Sequence, residues 1–265
     1  MKIIFLDIDG TVLSHKTNSI PSSALHSIIE ARKQGILVFG CTGRHQLELQ
    51  KLPIDDLHVD GWITMNGALN YLDDGTVISG YPIDKQDIEF LYDSVKRSPF
   101  PIQFLEANEM YMNLHDDYVE KSLNKIHSKQ DPIQPIERIL ENDIYMFIPW
   151  VKEELFKNIQ DKLKSTVCVR WNKYAVDCFN ERCGKKQGIQ DILNYYQIDK
   201  EDAGCVGDAD NDISMFQACG HKAAMGNATK ELKDIADFIT NDIDEDGLEI
   251  AIKYLVKRKN IPNYF

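Results

Sequence analysis

The sequence predicts an α/β protein, a doubly wound and mostly parallel sheet with an α+β domain inserted into it. Short apolar runs alternate with helical patterns from Lys2 to Met65 and again after Lys185, the rhythm of strands joined by crossover helices. Between these stretches the alternation stops and short β-rich segments pair across turn signals. Polar clusters rich in acids follow directly on the predicted strands, where open α/β sheets hold their ligands.

Lys2 to Leu6 reads as a buried strand, and residues 21–34 as a helix with Pro21 near its first turn and Gly35 as its stop. Leu25, Ile28 and Ile29 give that helix an expected apolar face. Residues 36–41 form the next strand, 44–52 a short helix and 62–65 a third strand. Asp73-Asp74-Gly75 marks a hairpin within 68–81. In the middle region, 102–106 pairs with 110–114, and 167–177 forms a hairpin turning near Asn172-Lys173. The α/β rhythm resumes with a helix over 188–196, a strand over 203–206, a helix over 210–218 and a last helix over 246–259. Residues 1–82 and 182–265 are therefore expected to form one core, and 83–181 the insertion. No repeat or low-complexity linker interrupts the chain.

The 265 residues carry a net charge of −12, which disfavours nucleic acid and anionic membranes as partners. A small anionic substrate stays open, because one cation can reverse the potential inside a cleft. The N-terminal apolar run is too short for a signal peptide and is broken by Asp7, and no stretch is long enough to span a bilayer, so a cytoplasmic location is expected. Six cysteines occur without a Cys-x-x-Cys pair or zinc-like spacing and read as reduced thiols.

Four clusters carry chemistry. Asp7-Ile8-Asp9-Gly10-Thr11 follows the first strand. Two acids one residue apart can address one site if Gly10 turns the chain, and a hard cation such as Mg2+ would relieve their repulsion. Taken alone, an Asp-Gly step can simply end a strand. Thr42-Gly43-Arg44 follows the second strand; Thr42 can donate to a phosphoryl oxygen, Gly43 permits close approach and Arg44 can grip an anion. Its plain alternative is a helix N-cap at Thr42 with a solvated Arg44. Gly184-Lys185-Lys186 opens a helix, where a lysine opposes the macrodipole unless an anion lies there, or is simply solvated. Gly207-Asp208-Ala209-Asp210-Asn211-Asp212 follows a later strand and offers further oxygens. An EF-hand reading of this cluster fails, because Ile213 and Cys219 stand where that loop needs glycine and glutamate.

In this order the four clusters resemble the motifs of the haloacid dehalogenase superfamily, and of its Cof-type phosphatases with a cap inserted between the second and third motifs. Residues 64–68, 212–215, 224–228 and Asp246-Gly247 match further pieces, while many relatives have glycine at the position of Ala209 or Asp210. The resemblance implies that Asp7 is the nucleophile and forms an aspartyl-phosphate. Asp9 would be the general acid and then the base, with its backbone carbonyl on the metal. Thr42 and Lys185 would hold phosphoryl oxygens and balance charge, and Asp208 would complete a Mg2+ site with Asp7. Gly10, Gly43, Arg44 and Asn211 would face substrate, with Asp212 in support. Lys185 is preferred to Lys186 for its spacing from Ile189. The implied substrate is a small phosphorylated metabolite, such as a sugar phosphate or a phosphorylated cofactor. Tyr111, His115, Trp171, Asn172 and Tyr174 are cap residues of a type that could read it. A mutase or phosphotransferase on the same scaffold, and a non-catalytic phosphorylation switch, are the competing classes. The oligomeric state is open.

Overall fold

The computed structural model describes residues 1–125, 130–170, 173 and 175–257. In chain order the elements are β1 (Ile3–Asp7), α1 (Ser22–Lys33), β2 (Leu37–Cys41), α2 (Gln46–Leu49), β3 (Gly61–Thr64), β4 (Leu69–Leu72) and β5 (Val77–Gly80). There follow α3 (Lys85–Arg97), β6 (Ile102–Leu105), β7 (Met110–Met112), α4 (Asp117–Lys125), β8 (Met146–Pro149), α5 (Glu153–Gln160), β9 (Thr166–Arg170) and β10 (Val176–Asn180). The last are α6 (Lys185–Tyr196), β11 (Ala203–Gly207), α7 (Ile213–Ala218), β12 (His221–Ala224), α8 (Lys230–Asp234), β13 (Phe238–Ile239) and α9 (Gly247–Lys257). The chain divides into two compact units, Met1–Ser79 with the chain from Gly184 onward, and Gly80–Cys183.

The first unit is built on a sheet of order β13-β12-β11-β1-β2-β3-β4-β5. Pairing is parallel from β13 through β3 and turns antiparallel between β3 and β4. Its central strand β1 is apolar up to its last residue, Asp7, and wholly buried, as a strand covered on both faces must be. Helix α1 packs against α9, and the buried residues of α1 are Ala24, Ser27, Ile28 and Ala31. This corrects the expected face: Ile29 is 40% exposed and Leu25 only half-buried. The stripe at i, i+3, i+4 and i+7 is there, but alanines carry it, so the larger residues pointed to a neighbouring face.

The helix expected over 44–52 is the single turn of α2. His45 caps it, its Nδ1 accepting from the Leu47 amide at 3.1 Å while Glu48 accepts from the His45 amide at 2.8 Å. Pro53 bars continuation beyond Leu52. The cap is therefore His45 and not Thr42. Helix α6 starts at Lys185, where Gly184-Lys185-Lys186 is expected to open it, and extends N-terminally the helical pattern of 188–196; the segment 210–212 is a 3-10 turn leading into α7. The last helix ends among the described residues at Lys257.

The second unit has a sheet of order β7-β6-β8-β10-β9, antiparallel throughout. Ile88 and Leu91 of α3 pack with Phe104, Tyr111, Phe147 and Cys178 in its main core, and Met112, Val119, Leu123, Trp150 and Ala175 form a second cluster. Tyr111 is thus core, stacked near Phe104 and beneath the Arg138 guanidinium. Trp171, Asn172 and Tyr174, and the hairpin turn at Asn172, lie outside the described residues. The entering and leaving chain segments are laced together: Asn180 Nδ2 donates to the Pro82 carbonyl at 2.8 Å, and Arg182 donates to Asp84 at 2.8 Å.

Asp87, near the start of α3, accepts from the amides of Lys164 and Ser165 and from the hydroxyls of Ser165 and Thr166. Burial alone would raise its pKa, but these donors outweigh it and hold the carboxyl below the ordinary 3.8. Asp87→Ala should leave the Lys164 and Ser165 amides and the two hydroxyls without this acceptor and destabilise the second unit by about 1–3 kcal/mol, measured by urea unfolding. The Asp87 contribution should be fully present above the ordinary carboxylate value and be lost as the pH falls below it, so that wild type and variant converge in acid.

Candidate active site

Three strand ends make the site. Asp7 closes β1 and lies opposite Cys41 of β2, while the preceding pair, Leu6 and Val206, joins β1 to β11. The segments after β1, β2 and β11 therefore leave the sheet side by side at its carboxyl edge. After Asp7 the chain curls, with the Leu13 amide donating to the Ile8 carbonyl at 2.8 Å. Gly10 enables this at φ +87°, and a Cβ there would fall 2.3 Å from Asp208 Oδ2. Glycine is thus required twice, for the backbone angle and for the carboxylate beside it.

Lys185 projects from the first turn of α6 and has a side chain only 1% exposed. Its Nζ donates to Asp7 Oδ1 at 2.7 Å and to Asp212 Oδ1 at 2.6 Å. The anions that offset the helix dipole are thus two carboxylates of the chain itself, while Lys186 is exposed. The second Asp212 oxygen accepts from the amides of Asp208 and Ala209 at 3.0 and 3.1 Å. Both Asp212 oxygens are therefore committed to positioning Lys185 and the loop after β11.

Asp7, Asp208 and Asp212 offer oxygens that all lie within 4.8 Å of one another. Three carboxylates face one ammonium, an excess of two negative charges if all are ionised. The electrostatics register the excess. Burial, and then the charge of Asp212, push the Asp7 carboxyl well above the usual range against the pull of Lys185. Burial and Asp212 likewise raise Asp208 to about 6. Burial would lower Lys185, but Asp212 and Asp7 hold it well above its ordinary value, so it stays an ammonium. An all-oxygen, doubly negative cluster fits a hard divalent cation. With Asp212 committed elsewhere, Asp7 and Asp208 are the carboxylates left to hold it.

Asp9 stands apart from this cluster. Arg44 grips it in bidentate fashion, Nε to Oδ2 at 2.7 Å and a terminal nitrogen to Oδ1 at 2.8 Å. Arg44 is thus half-buried and engaged by Asp9. Thr42 is buried, its amide donating to the Ile63 carbonyl and its hydroxyl accepting from the Arg44 amide. Gly43 faces Asn66, whose side chain would meet an added Cβ at 3.1 Å. Asn66 sits in a turn where Met65, Asn66 and Gly67 all have positive φ, a strained path of the kind kept near functional sites. Asn211 is exposed on its 3-10 turn, and its carbonyl accepts from the Ser214 hydroxyl.

Two residues join the site without having been singled out in the sequence. Thr11 is fully buried and donates to Asp208 Oδ1 at 3.1 Å. Asn227 donates to the Gly10 carbonyl at 2.9 Å and to Asp208 Oδ2 at 3.3 Å, and accepts from the Ile243 amide. One amide side chain thus spans the loops after β1, β11 and β12. The segment 224–228 was noticeable in the sequence, but nothing there shows which strand end it would reach.

A chain with this sheet and this acid cluster belongs to the haloacid dehalogenase-like hydrolases, whose family model matches residues 4–252. Within that family it is an enzyme of the phosphatase class. It is 30% identical to YkrA of Bacillus subtilis, over 96% of this chain and 97% of that one. It is 28% identical to YwtE of the same organism, a 5-amino-6-(5-phospho-D-ribitylamino)uracil phosphatase, over 97% and 98%. Among solved structures it is similar to the subclass IIB sugar phosphatase BT4131, with a TM-score of 0.79 and 29% identity over 97% of this chain and 99% of that one. No helix among the described residues is long and apolar enough to cross a membrane.

Replacing Lys185 by methionine keeps the volume and removes the charge that Asp7 and Asp212 share. Lys185→Met should destabilise the protein by about 3–5 kcal/mol in denaturant titrations, as for a buried pair stripped of one partner. Adding Asp7→Asn to Lys185→Met should recover part of that loss.

Proposed function

We propose that this chain hydrolyses small phosphomonoesters in a magnesium-dependent reaction through an aspartyl-phosphate on Asp7. The observation that carries the reading is the placement of Asp7, at the end of the central strand, with one oxygen fixed by Lys185. The other takes no hydrogen bond among the described residues. Fixing one oxygen orients the second for in-line attack on phosphorus. The Asp7 oxygen bonds to phosphorus as the bond to the leaving-group oxygen breaks, and Asp9 supplies the proton that oxygen needs. Water then attacks the phosphorus, Asp9 takes its proton, and Asp7 is released. Lys185 offsets the negative charge around Asp7 throughout, and Thr42 donates its hydroxyl to a phosphoryl oxygen. Mg2+ held by Asp7 and Asp208, with the Asp9 carbonyl, would screen the repulsion between carboxylate and phosphoryl oxygens.

Arg44 sets a condition on this sequence. Both Asp9 oxygens accept from it, so an Asp9 that donates a proton must first give up one of those bonds. The arriving anion is a suitable new partner for Arg44. In this reading the first unit is the catalytic core and the insertion the cap that sets selectivity. A small substrate is supported by the relatives named as phosphatases of a ribitylamino-uracil phosphate and of sugars, and by the net charge of −12, which opposes polyanions.

Several compact phosphomonoesters should be turned over in a metabolite panel, and a matched phosphopeptide set should not. Preference for the peptides would overturn the substrate class. Asp7→Asn should keep the fold and lose activity by several orders of magnitude. EDTA should abolish turnover, Mg2+ restore it and Ca2+ inhibit, its larger shell misplacing the nucleophile. Asn227→Ala should weaken Mg2+ binding by roughly 10-fold or more in calorimetry, because it frees Asp208 from the loop that aims it. An unchanged affinity would remove Asn227 from the metal site.

A further inference from the structure

Outside the catalytic cluster, the second unit holds a pair of thiols that the sequence does not bring together. Cys168 and Cys178 are ten residues apart, and the register of β9 on β10 makes them direct cross-strand partners. Their Sγ atoms lie 2.8 Å apart. Direct partners on antiparallel strands put their Cβ atoms about 4.5–5.5 Å apart, approaching the spacing a disulfide spans. β9 is the edge strand of its sheet and, among the described residues, pairs with β10, so a link here would add a covalent fastening to that edge.

The two thiols differ in access. Cys178 is buried in the main core of the unit, while Cys168 packs against that core and is half-exposed. Burial, and then the neighbouring Cys168, push the Cys178 thiol well above its ordinary value. An oxidant therefore reaches Cys168 first, and Cys178 lies behind it in position to resolve. Cys205 and Cys219 also neighbour each other, but neither is accessible. Cys41, Cys205 and Cys219 are all buried, and Cys183 directs its Sγ to the Asn180 carbonyl.

We propose that Cys168 and Cys178 form a reversible dithiol–disulfide site, oxidised by exchange with small-molecule disulfides. The Cys168 thiolate attacks one sulfur of the small disulfide, forming a mixed disulfide and expelling one thiol. The Cys178 thiolate then attacks the Cys168 sulfur and expels the second. The protein pair gives up two electrons and two protons, and the small disulfide accepts both as it becomes two thiols. The site is independent of the phosphatase reading and would exist whatever the first unit does.

The test uses the full chain and oxidised glutathione, followed by alkylation in denaturant and mass spectrometry. Wild type should pass from six alkylatable cysteines to four and become two hydrogens lighter, with Cys168 and Cys178 in one cross-linked peptide pair. Dithiothreitol should restore all six. Cys178→Ser should stop at the first step and hold glutathione on Cys168, whereas Cys168→Ser should give neither adduct nor cross-link. Six alkylatable cysteines after oxidation, a cross-link between other positions, or no adduct at Cys168 in Cys178→Ser would each overturn the proposal. The single-serine variants change one buried or half-buried sulfur to oxygen, and their circular dichroism separates misfolding from lost chemistry.

Discussion

The contact on which the site depends is the ammonium of Lys185 held between Asp7 and Asp212. Burying one ion is costly, and burying three is tolerable only when each has partners. Here every partner is also a structural joint. Asp7 belongs to the central strand and Lys185 to the first turn of α6, while Asp212 gathers the amides that shape the loop after β11. The ion triad therefore joins three segments distant in sequence and, among the described residues, leaves one Asp7 oxygen without a hydrogen bond. The surplus of negative charge is what a metal and a phosphoryl group meet when they arrive. The same surplus makes the triad poor as a pure stabiliser, since apolar residues would do that better.

Much of this was legible in the sequence. The strand ends and the order of the acid clusters are short-range facts: an apolar run, an acid, a glycine. Lys185 was chosen over Lys186 from spacing, and burial separates the two in the same sense. What was not legible depends on partners far along the chain. Arg44 could have been aimed at an anion or at solvent, and only the folded chain shows it closed on Asp9. Asn227 gains its place from a loop more than two hundred residues from Gly10. The face of α1 was misjudged because packing against α9 selects small residues, a choice that periodicity alone does not reveal. Strands β12 and β13 are too short for any period to show.

Strain and order are divided between the parts of the first unit. The sheet is parallel from β13 through β3, and loops at its carboxyl end hold left-handed backbone at Gly10 and through Met65–Gly67, as Gly35, Gly75 and Gln197 do elsewhere in the unit. A rigid sheet with irregular loops places side chains closely while leaving the loops free to differ among relatives. That division is consistent with a family in which one scaffold serves many substrates.

The register of β1 on β11 pairs Ile3 with Ala203. During synthesis, therefore, β1 must wait for a neighbour that leaves the ribosome some two hundred residues later. The inserted unit has no such delay, because Gly80–Cys183 is one unbroken stretch in which strands β6 to β10 pair with one another. It can be complete while the central strand of the other unit is still half-paired and its apolar edge open. The lacing of Asn180 and Arg182 to the chain at Pro82 and Asp84 brings the two ends of the insertion together when it closes. The finished insertion then acts as a short tether between the two halves of the core. It replaces a loop of about a hundred residues with a link a few residues wide, and it lowers the entropy cost of pairing β1 with β11.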